Sequence, residues 1–425
     1  MRTWTLNTTR ALTRDGWLLF GSRSLRLFAY GALSVVLVLY LVQAGLDEAR
    51  IGLLLSLTLL GDTLVSLWLT TRADRWGRRR TLLVGAVLMA LAGVVFALTD
   101  NFLLLVVAAI IGVISPSGGE IGPFLAVEQA ALSQTTPGSR RTGIFAWYNL
   151  AGSLATASGA LAGGWLAQAL QNSGTDALTS YRVVLSGYVL VAAALALLST
   201  RMSPAVETSR SHQAAASPIE PRRWLGLHRS RGIVLQLSAL FAVDAFAGGF
   251  IVQSWVAYWF ALRFGIEPAL LGALFFGTNL LAGISALAAA RVAARFGLIN
   301  TMVWTHLPSN VLLMLVPLMP TLPLAVTLLL VRSSISQMDV PTRQSYTMAV
   351  VEADERSAAA GVTGVARTVG ASVAPALTGL LMSNPVLVSL PFFFAGGLKI
   401  LYDLTLYRLF RQVRPPEEQP HRSVP

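Results

Sequence analysis

Asp62, Glu120, Asp244, Arg332 and Arg367 each stand inside or beside long apolar stretches. A charge at membrane depth is costly, so such groups line a water-filled cavity, pair with one another or bind a ligand. A carboxylate withdrawn from water takes up a proton more readily, which suits Asp62 and Asp244 to bind and release protons. The alternative is that each is held by an arginine or by backbone groups. Arginine keeps its proton, so Arg332 and Arg367 must meet a carboxylate, an anionic solute or water. Glu120 follows the break Ser115-Pro116-Ser117-Gly118-Gly119 and faces either a cavity or its cytoplasmic mouth.

Other polar residues have two readings each. In "SQMDVPTRQSY", Asp339 and Arg343 are one helical turn apart across Pro341, as an intracellular gate or as a structural kink. Lys399 and Asp403 have the same i, i+4 spacing and read as a structural pair. His306 reads as a satisfied core residue and Glu128 as part of a solvated loop. Asn149, Gln253 and Asn279 bond either a solute or a neighbouring helix. Trp147, Tyr148, Trp255, Tyr258 and Trp259 line a pocket or anchor the chain at an interface.

Several chemistries have no support. The sequence holds no cysteine, which removes disulfides and thiolate chemistry. Its four histidines lack His-Glu-x-x-His spacing, so no metal and no enzymatic activity is expected. The one lysine, Lys399, lies outside any Gly-x-x-x-x-Gly-Lys-Ser/Thr pattern, which excludes a Walker-type nucleotide loop. No cofactor is implied.

The elements that position these residues must be membrane spans. Of 425 residues 54% are hydrophobic and 12% charged, and the mean hydropathy is +0.64. Twelve runs approach the roughly 20 apolar residues that cross a bilayer. They lie near 25–44, 51–70, 81–99, 102–124, 142–166 and 181–199, then 232–261, 269–290, 298–318, 322–340, 358–382 and 386–406. Breakers at Pro116 and Pro341 end or kink the fourth and tenth. The expected architecture is an all-α membrane protein with a tail (1–24), a six-helix bundle (25–200), a linker (201–231), a second bundle (232–407) and a second tail (408–425).

Alternate loops differ in charge. One side carries Arg72, Arg75, Arg78, Arg79, Arg80, Arg140, Arg141, Arg201, Arg210, Arg222, Arg223, Arg229, Arg231, Arg291, Arg295, Arg356 and the terminal arginines, the other Arg50, Arg182 and Arg263. The positive-inside rule places the first set, with both termini, in the cytoplasm. A net charge of +12 spread over short loops speaks for topology and against nucleic-acid binding. The first apolar run lacks a small-residue cleavage site, so an uncleaved first helix is expected.

The second half echoes the first. "LDEARIG" at 46–52 matches "IEPALLG" at 266–272, and "ADRWGRR" at 73–79 matches "AARFGLI" at 293–299, both shifted by 220. Pro123, Gly143 and Gly152 match Pro341, Gly361 and Gly370, shifted by 218. Such duplication typifies transporters built around a central site. The stretch "ADRWGRRR" supplies Asp74, Arg75, Gly77, Arg78 and Arg79 in the register of Gly-x-x-x-Asp-Arg-x-Gly-Arg-Arg/Lys, with Thr70 in place of the first glycine. In this loop, and in its twelve spans and duplicated halves, the chain resembles the major facilitator superfamily.

The resemblance implies alternating access, with the loop from Asp74 to Arg79 latching the cytoplasmic side and Asp74 suited to a helix N-terminus near Ala358. It implies a monomeric secondary transporter in the plasma (inner) membrane, with a small-molecule substrate, protons and lipid as its partners. Gly143-x8-Gly152 in the fifth run only partly follows the superfamily's antiporter pattern, and Gly361-x8-Gly370-x3-Ala374-Pro375 in the eleventh is nearer, which leans the expectation toward proton-coupled efflux. Uptake or exchange of an organic anion is the alternative, prompted by the arginines. A non-transporting receptor is the remaining class.

Overall fold

A computed structural model describes residues 12–120, 122–136, 141–207, 227–352 and 354–413; most of the expected linker, and 1–11 and 414–425 of the expected tails, lie outside the described residues. The sequence of helices is α1 (Arg14–Gln43), α2 (Glu48–Trp76), α3 (Arg78–Leu98), α4 (Phe102–Ile111), α5 (Phe124–Thr135), α6 (Arg141–Asn172) and α7 (Ala177–Arg201). It continues with α8 (Arg231–Gly249), α9 (Gln253–Phe264), α10 (Pro268–Phe296), α11 (Leu298–Leu315), α12 (Leu322–Ser333), α13 (Asp339–Ala349), α14 (Arg356–Met382) and α15 (Leu390–Phe410). Each of the twelve apolar runs contains helix; the seventh and tenth are each broken into two helices, and the fourth is helical over 102–111, with the chain irregular from there until α5 begins at Phe124.

Local chemistry fixes the helix ends. Asp47 accepts from Arg50 N at 2.8 Å to start α2, Asn101 accepts from Leu103 N at 3.0 Å to start α4, and Asp176 accepts from Thr179 N at 2.9 Å to start α7; short polar side chains cap orphan amides in this way. Thr13 does the same for α1, accepting from Gly16 N at 3.1 Å. That cap starts α1 well before Leu25 and brings Arg23 onto the same spanning helix as Arg26. Gly77 (φ 102°) separates α2 from α3 and Gly297 (φ 85°) separates α10 from α11. A Cβ would strain both turns, and the two glycines sit at equivalent points of the repeat.

Contacts divide the chain into two compact units. The first comprises 1–217 and 252–279, the second 218–251 and 280–425. The first unit thus contains α9 and the beginning of α10, which follow the seventh run's break. Within it α1 packs along α6 and α7, α3 along α7, and α2 along α4. Within the second, α8 packs along α14 and α15, and α11 along α15. Glycine permits the tightest crossings: a methyl on Gly31 would collide with the Thr156 backbone, and one on Gly370 with the Ala242 backbone.

Faces turned away from these crossings are apolar. Leu53, Leu60, Leu64, Leu67 and Trp68 are exposed along α2, a surface that only lipid solvates well. Among the described residues, eight helical stretches are long and apolar enough to cross a membrane, α8 and α9 together forming one of them.

The broken fourth run meets the demand that irregular backbone at membrane depth be satisfied by protein. Between α4 and α5, Tyr188 donates to Val113 O, Ser254 N to Pro116 O at 3.1 Å, Thr156 Oγ1 to Gly118 O at 3.4 Å and Ser115 Oγ to Gly119 O at 2.9 Å. Gly122 N donates to Asp62 Oδ1 at 2.6 Å. The tenth run breaks more tightly, and Pro341 lies in the first turn of α13, where a missing N–H costs little; it starts a helix and does not kink one.

Candidate functional site

Each unit buries one ionic cluster. In the first, Arg26 on α1 is fully enclosed. Its Nη1 donates to Glu128 Oε1 at 2.7 Å and its Nη2 to Glu128 Oε2 at 2.8 Å, a two-pronged geometry that strengthens such pairs. Arg26 Nη2 also reaches Glu120 at 3.1 Å, and Arg23 Nε reaches the other Glu120 oxygen at 2.9 Å. Ser22 Oγ donates to Glu128 Oε1 at 2.7 Å, and the Tyr148 hydroxyl donates to Glu128 Oε2 at 2.5 Å; Arg23 Nη1 donates to Asn149 at 3.0 Å. Two arginines therefore balance two glutamates, with two hydroxyls bonding Glu128 as well.

Asp62 on α2 is separate from that balance. It is 6% exposed, accepts from Gly122 N and from Ser66 Oγ at 3.2 Å, and has no ion pair among the described residues. The reading in which an arginine neutralises Asp62 gives way to satisfaction by a backbone amide and a hydroxyl.

In the second unit Asp244 on α8 is the centre. Lys399 Nζ lies 2.5 Å from its Oδ1, and Arg343 Nη1 and Arg367 Nη1 lie 3.0 and 3.5 Å from its Oδ2. Arg343 also pairs with Asp339 at 3.0 Å within α13. Asp403 is bonded by His306 Nδ1 at 2.9 Å and Asn310 Nδ2 at 3.0 Å. Arg332 on α12 makes no ion pair among the described residues, and its buried Nε has no hydrogen-bond partner.

Several expectations change. Glu128 is no loop residue: it is wholly buried on α5, because Arg26 and Tyr148 supply the donors that its burial requires. Lys399 pairs with Asp244 and not with Asp403, since α15 turns its lysine toward α8 and its aspartate toward α11. Glu120 lies between two arginines. Tyr148, Trp255 and Trp259 are fully buried, Tyr258 nearly so, and Trp147 is partly exposed. Gln253 donates to Ser34 at 2.8 Å and Asn279 to Gln253 at 3.1 Å, bonds between helices of the first unit. Arg23, Arg26, Glu128, Tyr148 and Lys399 are the cluster members that spacing alone missed. A usable signal was present: the repeat offset of 218 sets Arg26 against Asp244, the centres of the two clusters.

Among known proteins, the family model described as Major Facilitator Superfamily matches residues 19–375 and 245–425. The chain belongs to the major facilitator superfamily. Membership makes it a multi-pass membrane transporter and not an enzyme. An uncharacterized membrane protein of Saccharomyces cerevisiae is 32% identical, the match covering 94% of this chain and 95% of that one. Among solved structures, the nucleoside transporter NupG superposes with a TM-score of 0.70 at 14% identity, covering 94% of this chain and 100% of that one. A D-xylose–proton symporter gives 0.72 at 14%, covering 95% and 98%. A bacterial homologue of human Spinster gives 0.69 at 15%, covering 94% and 97%. At these identities the likeness is one of fold.

The superfamily-type loop after α2 is tied into the first unit. Arg78 Nε pairs with Asp74 at 3.0 Å, and Arg78 Nη1 donates to Gln134 on α5 at 2.6 Å. Glu207 accepts from Arg78 N at 2.6 Å and Arg79 N at 3.2 Å, and Arg79 Nη2 donates to Thr200 O at 3.0 Å. The start of α3 is thus the positive helix end in this loop, and its acid is Glu207; Asp74 serves Arg78. Arg75 is exposed.

Proposed function

We propose that the protein is a proton-coupled secondary transporter that exports a small organic solute by alternating access. The observation that carries the reading is Asp62, a buried carboxylate with no ion pair among the described residues. Taking up one proton there removes a net charge at membrane depth while leaving an oxygen to accept from Gly122. The second residue after Glu120 is Gly122, so the charge on Asp62 acts on the same irregular segment that holds the Arg23–Glu120–Arg26 pairing. Protonation therefore alters how firmly the break between α4 and α5 is held.

The arginine asymmetry supports cytoplasmic termini in a plasma (inner) membrane. The partial antiporter pattern at Gly143 and Gly152 supports export, and the loop from Asp74 to Arg79 is the proposed cytoplasmic latch, with Asp339 and Arg343 as a second gate. The duplicated halves, 25–200 and 232–407, are the moving bodies of a monomer.

The test is solute flux in proteoliposomes under an imposed pH gradient, with a solute first identified by thermal stabilisation of the purified protein. Wild type should concentrate the solute against its gradient. Asp62→Asn should retain solute exchange and lose the response to pH. Gradient-driven accumulation that persists in Asp62→Asn would remove this reading.

A further inference from the structure

We infer that His306 and Asp403 form a proton-binding site inside the second unit, separate from Asp62 and independent of it. One proton enters and leaves at His306 Nε2, while the Asp403 carboxylate holds the ring from its other nitrogen.

Two packed helices build the pair. α11 lies along α15, and His306 Nδ1 is 2.9 Å from Asp403 Oδ1, the two side chains being 5% and 1% exposed. Asn310, one turn after His306, donates Nδ2 to the other carboxylate oxygen at 3.0 Å. An ionised carboxylate only accepts, so Nδ1 carries the hydrogen of its bond to Asp403. Nε2 is then the ring atom whose lone pair can take a proton, and it has no hydrogen-bond partner among the described residues. Asn310 Oδ1 and Ser309 Oγ, buried on the same helix, also lack partners among the described residues. The turn after the imidazole therefore offers two further polar atoms to a proton-carrying water.

The surrounding charges favour that proton. No lysine or arginine forms an ion pair with Asp403 among the described residues. Lys399 of α15 lies 2.5 Å from Asp244 of α8, and Arg343 of α13 and Arg367 of α14 reach the same carboxylate at 3.0 and 3.5 Å. Arg343 also pairs with Asp339, and Arg332 of α12 makes no ion pair among the described residues. Tyr402, the neighbour of Asp403, sets its ring nearly perpendicular to the imidazole, with centroids 6.2 Å apart. With a neutral imidazole, Asp403 is a buried charge met only by neutral donors, which is unfavourable; a proton at Nε2 turns the same contact into an ion pair. Lys399 stands one turn before Asp403 on α15. While the proton is absent the charge of Asp403 competes with Asp244 for Lys399, and once it is present Lys399 is left to Asp244. Proton occupancy is thereby conveyed to the centre of the ionic cluster.

Histidine-selective nitrogen-15 NMR of the purified full chain in detergent tests this, because the sequence has only four histidines, His212, His228, His306 and His421. The signal lost in His306→Gln is that of His306. If that variant does not fold, His212→Gln, His228→Gln and His421→Gln combined leave a single signal and assign it. As the pH falls from about 8 to about 5, the range in which imidazoles titrate, Nε2 should pass from the unprotonated to the protonated shift while Nδ1 stays protonated. Asp403→Asn should displace that change by about one pH unit or more toward acid, since an opposite charge favours the imidazolium. Lys399→Met should displace it the opposite way by removing a neighbouring cation, and it carries the comparison if Asp403→Asn does not fold. Asp62→Asn should leave it in place. An Nε2 signal that keeps one form throughout, a change unmoved by Asp403→Asn and Lys399→Met, or one displaced by Asp62→Asn overturns the site.

Discussion

Lys399 Nζ lies 2.5 Å from Asp244 Oδ1, joining residues 155 positions apart on α15 and α8. The pair is unequal. Without Lys399, Asp244 still has Arg343 and Arg367; without the Asp244 charge, Lys399 and Arg367 lose the ion pairs shown for them and Arg343 keeps only Asp339. Asp244→Asn should therefore destabilise the protein more than Lys399→Met. Losing one member of a buried pair costs about 3–5 kcal/mol, and the aspartate variant belongs at or above the top of that range. Midpoints from thermal unfolding in detergent decide the order, and equal losses would contradict the unequal pairing.

Glu128 and Glu120 provide a second contrast. Both meet Arg26, but Glu128 is completely buried and also accepts from Ser22 and Tyr148, while the Glu120 side chain retains 16% exposure. Glu128→Gln should cost about 3–5 kcal/mol, and Tyr148→Phe about 1–3 kcal/mol for the unmet acceptor. Glu120→Gln should cost less than Glu128→Gln because water can reach the site. The same unfolding assay checks all three, and a Glu120→Gln variant less stable than Glu128→Gln would show that the buried network is misassigned.

Much of this architecture was legible because its cause is one-dimensional. Apolar length marks the spans, Gly77 and Gly297 mark the repeated turn, Pro116 falls in the break after α4, and Pro341 marks the first turn of the helix that follows the break after α12. The clusters were legible only in part. Asp244 and Arg367 announce themselves as charges within apolar runs, yet no sequence rule pairs Asp244 with Lys399 across 155 residues. The i, i+4 relation of Lys399 to Asp403 misled because each side chain finds a nearer partner on another helix. Glu128 misled for the opposite reason: beyond the break the chain resumes a helix, and Arg26, at the margin of the first run, was not recognised as its counter-ion.

Helix crossing gives a third prediction. Gly31 on α1 lies against the Thr156 backbone, and Gly370 on α14 against the Ala242 backbone. A backbone cannot retreat as a side-chain tip can. Gly31→Val and Gly370→Val should each destabilise by about 1–3 kcal/mol or more through overpacking. Gly361, beside which a Cβ would meet open space, should accept alanine with little change. Expression and thermal midpoint of the three variants check this, and an undisturbed Gly31→Val would mean that α1 and α6 are not so closely crossed.

Glu355, just before the α14 span, ties that helix start to the start of α8. Its carboxylate accepts from Ser230 N at 2.8 Å and Arg229 N at 3.0 Å, and from His228 N. Burial pushes the carboxyl up, but the hydrogen bonds from Ser230, His228 and Arg229 outweigh it and hold the group at about 2, below the usual 4.5. Because the folded value is depressed, the clasp contributes its full stabilisation above about pH 4.5 and loses it as the pH falls toward about 2. Hydrogen exchange at 228–234, corrected for intrinsic rates, should show protection declining between about pH 5 and about pH 3. Glu355→Gln should start with weaker protection at neutral pH and show little further decline, since it has no proton to gain. Wild-type protection that stays flat across that interval would mean that Glu355 does not hold the entry to α8.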